Sequence, residues 1–471
     1  MKRVPVVLLL AALSVGVAAR AAPAPAVIVP SFERHVLGNG VTVLLMPQRE
    51  VPLIGFTAVL RGGARADPPG KAGLATLTAQ LLEKGAGKRG AFEFADAVAG
   101  VGGSFAANAG TEAITVGGQF LARDRALLLE LLADALLRPK LDPAEFESLR
   151  ARQIEFIKAA KDSDPSALIG AYGRALLFGG HPYGRPAFGS ERSLAGIASA
   201  DVVEFYRAQF GGDRLTLIFT GDIDSKWLLA AVRRAFGSWP RARAMLPALT
   251  EVPRVAGRRV LLVDAPGSSQ TYFWIGNVGV ARRFADRAAL DIANTLYGGR
   301  FTSILNTELR IKSGLTYSVS SWFTRGSVAG EFAISSFTQT QSTERAIDLT
   351  LETLASFGRG SVGAETLESA RAYVLGQYPL RLETAANWAG ALAELELYGL
   401  DRSYIESYGP KLSAVTTGDL DRVIAANFPR VENLDLVLIG DAAKVREVAR
   451  KYGPVTQVAL ISDDFVPPQT K

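Results

Sequence analysis

The chain contains no cysteine, which excludes disulfide staples, thiolate zinc sites, iron–sulfur clusters and cysteine nucleophiles together. It has two histidines, His35 and His181, so chemistry that needs two or three clustered imidazoles has almost nothing to draw on. His181, before Pro182, reads as a loop or packing residue, and His35 opens the first strand-like run. Runs of like charge are missing too. Arg258-Arg259 and Arg282-Arg283 are isolated doublets, and three of the cations behind the formal charge of +6 lie at Lys2, Arg3 and Arg20, so nucleic acid is not an expected partner. There is no Walker A sequence and no G-x-S-x-G nucleophile elbow. Gly85-Ala-Gly-Lys-Arg-Gly90 has the spacing of a dinucleotide fingerprint, but it follows a helical pattern instead of linking a strand to a helix.

What is present is a globular composition, 471 residues at 48% hydrophobic and 21% charged, enough for about two to four domains. Lys2 and Arg3 lead into an apolar stretch over 4–19 and then into Ala19-Arg20-Ala21-Ala22, small residues spaced like a signal-peptidase site. With Pro5 and Gly16 inside it, the stretch falls short of the roughly 20 residues of a spanning helix. The expectation is a signal peptide over 1–22, cut near Ala21 or Ala22, and an exported mature chain without a stable membrane span. A sequence free of cysteine is compatible with a bacterial periplasm.

The rest of the chain is written twice. An apolar run at 41–46, a polar turn and a second run at 53–60 recur as 260–263, a turn and 271–280. Residues 194–210 match 412–428, and each segment leads into a β run ended by Gly-Asp, at Gly221-Asp222 and Gly440-Asp441. Helical patterns at 126–137 and 143–161 have counterparts at 343–357 and 364–378, with Asp142-Pro143 as a helix start. Strands and helices come in clusters without strict alternation. The expected class is therefore α+β: two homologous domains, each a largely antiparallel β-sheet with helices packed on one face. The expected boundaries are 31–240 for the first domain, 241–253 for a linker between Pro240 and Pro253, and 254–463 for the second domain.

Within this frame the chain resembles the pitrilysin and insulinase family of zinc peptidases, the inverzincins, in the short-chain branch related to mitochondrial processing peptidase. The resemblance rests on Leu37-Gly-Asn-Gly-Val-Thr-Val-Leu44, Gly62-Gly-Ala-Arg65, the helix 73–85, Asp164-Pro165, His181-Pro-Tyr-Gly-Arg-Pro186 and Phe219-Thr-Gly-Asp222. In the second half it rests on Gly298-Gly-Arg-Phe-Thr-Ser-Ile-Leu305 and on the stretch from Glu308 to Val319. The family's inverted motif, His-x-x-Glu-His, sets two imidazoles on one helix face with a glutamate to activate zinc-bound water. Here those positions hold Thr76, Ala79 and Gln80. The third ligand position falls near Phe156 or Ile157, with Glu155 out of register by one or two residues. The resemblance thus implies a degenerate metal site, no cofactor in this chain, and zinc in a homologous partner subunit.

In relatives built from two different chains, the subunit without zinc supplies an arginine and a tyrosine, which match Arg310 and Tyr317. A helix from about Phe301 to a left-handed cap at Gly314, followed by a strand over 315–323, can turn both toward one cleft. There an arginine donates to peptide carbonyls and a phenol to a developing oxyanion. Read without the resemblance, Arg310 is a solvated helix residue and Tyr317 an ordinary strand aromatic. Gly298 and Gly299 match a loop that admits an extended peptide, or form a plain turn between helices. The expected function is a non-catalytic, substrate-binding subunit of a heteromeric metallopeptidase acting on peptides or unfolded polypeptides. The alternative is a structural or peptide-binding protein of the same fold, and no constellation supports an independent hydrolase.

Overall fold

The computed structural model describes residues 27–466, so the expected signal peptide lies outside the described residues. The first half carries β1 (Glu33–Val36), β2 (Thr42–Pro47), β3 (Leu53–Arg61), β4 (Ser104–Ala109), β5 (Ala113–Leu121) and β6 (Leu215–Gly221). The second carries β7 (Arg258–Asp264), β8 (Gln270–Val278), β9 (Val319–Phe323), β10 (Glu331–Gln339), β11 (Leu434–Gly440) and β12 (Val455–Ala459). Each set forms one six-stranded sheet, in the orders β1-β2-β6-β3-β5-β4 and β12-β7-β11-β8-β10-β9. Five strands correspond one to one. In both sheets the first of them pairs in parallel with the last, β2 with β6 and β7 with β11, because a long helical stretch separates them. The remaining pairs among those five are antiparallel. The sixth strand breaks the likeness: β1 precedes the first unit and runs antiparallel to β2, while β12 follows the second and runs parallel to β7.

The helices form where their apolar spacing and caps direct. Asp142 accepts the amides of Ala144 and Glu145 at 2.8 and 3.2 Å, Pro143 opens the first turn, and the helix Pro143–Ser163 buries Phe146, Leu149 and Ile157. With Arg125–Leu137 before it, this helix forms a pair that corresponds to Thr343–Arg359 and Ala364–Leu380 in the second half. Between the helix Ser225–Phe236 and β7 the chain has no regular element. Its amides at Arg243 and Ala244 both donate to the Ala208 carbonyl, which ties this stretch to the first half.

Each half covers one face of its sheet with its own helices, and the opposite face takes a single helix from the other half. Ser166–Phe178 of the first half lies on β8 and β11, and Ala385–Tyr398 of the second lies on β3 and β6. These helices are equivalent elements, exchanged reciprocally. Val59 and Ile218 of the first sheet are buried with Trp388, Ala389 and Leu392 of the borrowed helix. On the other side Trp274, fully buried, lies against Gly173 so closely that a methyl group there would stand 2.6 Å from the indole. Each exchanged helix buries apolar side chains of both halves, which at about 25 cal/mol per Å2 of apolar surface couples their stabilities.

Candidate functional site

The metal-equivalent positions sit on the helix Leu74–Leu81, which starts at Gly73 in a left-handed conformation, φ 97°. Asp67 caps that start: its carboxylate accepts Gly73 N–H at 2.9 Å and Ala75 N–H at 2.8 Å. Burial outweighs these amides and pushes the Asp67 carboxyl up to about 7. Along the helix, Thr76 donates its hydroxyl to the carbonyl of Ala187 at 2.6 Å, and the Ala79 methyl is fully buried. Gln80 is half-buried on the next turn. At the third position Ile157 is buried in the core and Phe156 is exposed, while Glu155 points to solvent and pairs with Lys158 at 2.9 Å. These residues do not fit a zinc ion. The Thr76 hydroxyl is occupied by backbone, Ala79 has no donor atom, and Glu155 is turned toward Lys158 in solvent. Among the described residues no three His, Cys, Asp or Glu side chains are grouped to hold a metal.

The sequence gives no warning of a contact just past this helix. Glu83 reaches across to accept the backbone N–H of Ala107 on β4, the edge strand of the first sheet. Its carboxyl is raised by burial despite that amide. An open edge strand is a ready template for an added peptide strand, and here a side chain occupies one of its outward donors.

In the second half the structure brings Arg310 and Tyr317 together. The guanidinium carbon stands 4.5 Å from the centre of the Tyr317 ring and 4.8 Å from that of Phe301, stacked against two exposed aromatics. Tyr317 is 73% exposed. Among the described residues neither the guanidinium nor the phenol has a hydrogen-bond or ion-pair partner. The local backbone differs from expectation. The helix is short, Ile304–Asn306, and widens into a π-helix at Thr307–Lys312. Gly314 follows at φ 62°, and the amides of Leu315 and Thr316 turn back onto the Leu309 carbonyl at 2.9 and 3.3 Å. Those two amides are therefore unavailable to a ladder, the strand begins at Val319 instead of 315, and Tyr317 sits in the connecting turn. Asn306 fixes the turn by donating to the Val319 carbonyl at 2.8 Å. Gly298 has a packing reason: a methyl group there would lie 2.7 Å from the Ser321 nitrogen on β9.

The histidines are outside both places. His35 pairs with Glu33 at 2.8 Å on β1, and His181 accepts the Tyr183 amide at 3.2 Å, its pKa lowered mainly by burial. Tyr183 in turn donates to Glu112 at 2.8 Å, and the same carboxylate accepts Ser327 N–H of the second half at 2.8 Å, a polar tie across the junction.

Duplicated six-stranded sheets with reciprocally exchanged helices define a two-domain α+β protein, and among its described residues no group of side chains is placed to hold a metal. Comparison with known proteins gives the family. The family described as Insulinase (Peptidase family M16) matches residues 56–189, and the Peptidase M16 inactive domain matches 196–374. The chain belongs to the M16 peptidase family. The second match begins in the first half, before β6, and ends within the helix Ala364–Leu380. An uncharacterized zinc protease of Mycobacterium tuberculosis (strain ATCC 25618 / H37Rv) is 29% identical over 363 residues, 77% of this chain and 82% of the relative. A non-peptidase homolog of Helicobacter pylori (strain ATCC 700392 / 26695) is 23% identical over 407 residues, 86% and 93% of the two chains. In fold, a solved peptidase M16 inactive domain from Pseudomonas fluorescens superposes with a TM-score of 0.80 at 22% identity, covering 87% of this chain and 98% of that one. A protease from Helicobacter pylori gives 0.78 at 20% identity, covering 87% and 99%.

Proposed function

We propose that this chain is the non-catalytic, substrate-binding subunit of a heteromeric zinc metallopeptidase that degrades peptides or unfolded polypeptides. In this reading zinc sits in a homologous partner with an intact His-x-x-Glu-His motif, and the complex works after export, in a bacterial periplasm. The observation that carries it is the contrast between the two places. Thr76 donates its hydroxyl to backbone and Ala79 is buried, whereas half-buried Arg310 is stacked on exposed Tyr317 and, among the described residues, neither side chain has a hydrogen-bond or ion-pair partner. Arg310 would hold a peptide carbonyl, and Tyr317 would donate to the oxyanion that forms at the partner's zinc.

The test is recovery of the tagged chain from an envelope extract, followed by peptide hydrolysis with and without a chelator. A co-purifying chain with the intact motif and chelator-sensitive activity supports the proposal. An inactive eluate without such a chain rejects it in favour of a structural or peptide-binding role. Two observations favour that second reading: a relative is named a non-peptidase homolog, and Glu83 occupies part of the β4 edge.

A further inference from the structure

A cavity of about 250 Å3 lies in the second half among the helices Arg287–Tyr297, Ala364–Leu380, Ala385–Tyr398 and Tyr408–Ala414. Its charged lining is four arginines, Arg282, Arg287, Arg325 and Arg381, and two carboxylates, Asp291 and Glu394. Both carboxylates are already matched. Glu394 pairs with Arg282 at 2.9 Å, and Asp291 with Arg325 at 2.5 Å while also accepting the Tyr408 hydroxyl. That leaves two positive charges, since among the described residues neither Arg287 nor Arg381 has a carboxylate within ion-pair distance.

Arg287 is held in place. Its guanidinium carbon stands 3.4 Å from the centre of the Tyr404 ring and 4.3 Å from that of Tyr408, and it donates to the Tyr404 carbonyl. The Nε atoms of Arg282 and Arg325 are buried without a partner, and an unmade hydrogen bond at a buried donor is costly. Two unmatched guanidinium groups, two idle buried donors and a volume below that of drug-sized pockets converge on one ligand chemistry.

We propose that this cavity binds a compact dianion, a phosphate monoester or a dicarboxylate, with Arg287 and Arg381 balancing its charge. Because Ala385–Tyr398 is the helix lent to the first sheet, the ligand would fasten that helix to the core of its own half. The site is independent of the Arg310–Tyr317 reading.

The test is isothermal titration and thermal unfolding of the mature full-length chain with inorganic phosphate, succinate and acetate at constant ionic strength. Saturable binding of phosphate or succinate with a raised unfolding midpoint is expected, with acetate at least about tenfold weaker. Preference for phosphate points to a monoester, and preference for succinate to a dicarboxylate. Arg381→Gln, at an exposed position, should weaken binding about tenfold, and Glu394→Gln should tighten it by freeing Arg282. No saturable binding, or binding that both substitutions leave unchanged, overturns the proposal.

Discussion

In the first half the helix Leu74–Leu81 turns Thr76 onto backbone and Ala79 into the core and leaves Gln80 half-buried, whereas in the second half the π-helix Thr307–Lys312 holds Arg310 between Phe301 and Tyr317. The five shared strands are the same in both, so the scaffold does not decide which half keeps an exposed cluster. Residues placed at Thr76 and Ala79 now contribute to packing. Tyr317 and Phe301 are exposed and Arg310 is half-buried against them, so this cluster contributes little to the core. The halves differ at their junction as well. The first sheet meets its borrowed helix through Gly55, where a methyl group would stand 2.5 Å from the Ala386 nitrogen. The second sheet presents the bulky Trp274, and it is the borrowed helix that supplies glycine, at Gly173.

That junction contrast is the sharpest to break. Trp274→Ala should cost about 3–5 kcal/mol in denaturant unfolding, because it empties the space under the helix Ser166–Phe178. Gly55→Val should act from the opposite direction, by overpacking, at about 1–3 kcal/mol. If both left the midpoint in place, the exchanged helices would not be holding the halves together. The functional contrast comes next. In the complex with a zinc-bearing partner, Arg310→Ala with Tyr317→Phe should lower turnover about 100-fold with unchanged assembly, the scale of one lost oxyanion donor. Full activity in that double variant would remove the second half from substrate handling.

A smaller effect is read by pH at the start of the helix Leu74–Leu81. Burial raises the Asp67 carboxyl from its ordinary value near 4 to about 7, so the folded chain holds that proton more tightly than the unfolded one. Its contribution is complete below about pH 4 and is lost as pH rises through 7. Unfolding free energy should therefore decline across that window, and the decline should be shallower in Asp67→Ala, which also loses the helix cap at about 1–2 kcal/mol. The smallest effect is at Glu155. Glu155→Ala removes an exposed pair with Lys158 and should shift stability by less than about 0.5 kcal/mol, with no change in the zinc content of the purified chain.

Most of the architecture can be read from local pattern because it is local. The strands at 42–47, 53–61, 215–221 and 434–440 and the helices at 125–137, 143–163 and 343–359 lie within a residue or two of their apolar runs and caps. That Thr76, Ala79 and Gln80 are neither histidine nor glutamate is legible in the sequence itself. The helix exchange is not legible: Ser166–Phe178 and Ala385–Tyr398 are apolar, and nothing local says whose sheet they cover. The π-turn at Thr307–Lys312 is hidden for the same reason, since its cause is the return of Leu315 and Thr316 to the Leu309 carbonyl. Glu83 and the dianion cavity arise from side chains far apart in sequence, brought together only by the fold.

The lent helices also set an order of events during folding. Until the chain through Tyr398 has reached the compartment where it folds, the face of the first sheet that carries Gly55, Val59 and Ile218 lacks the helix that covers it. A chain stopped between the halves would therefore be a half-clad sheet, open to stray strands and other nascent chains. The first half is thus complete only once a helix from the far end of the second half has arrived.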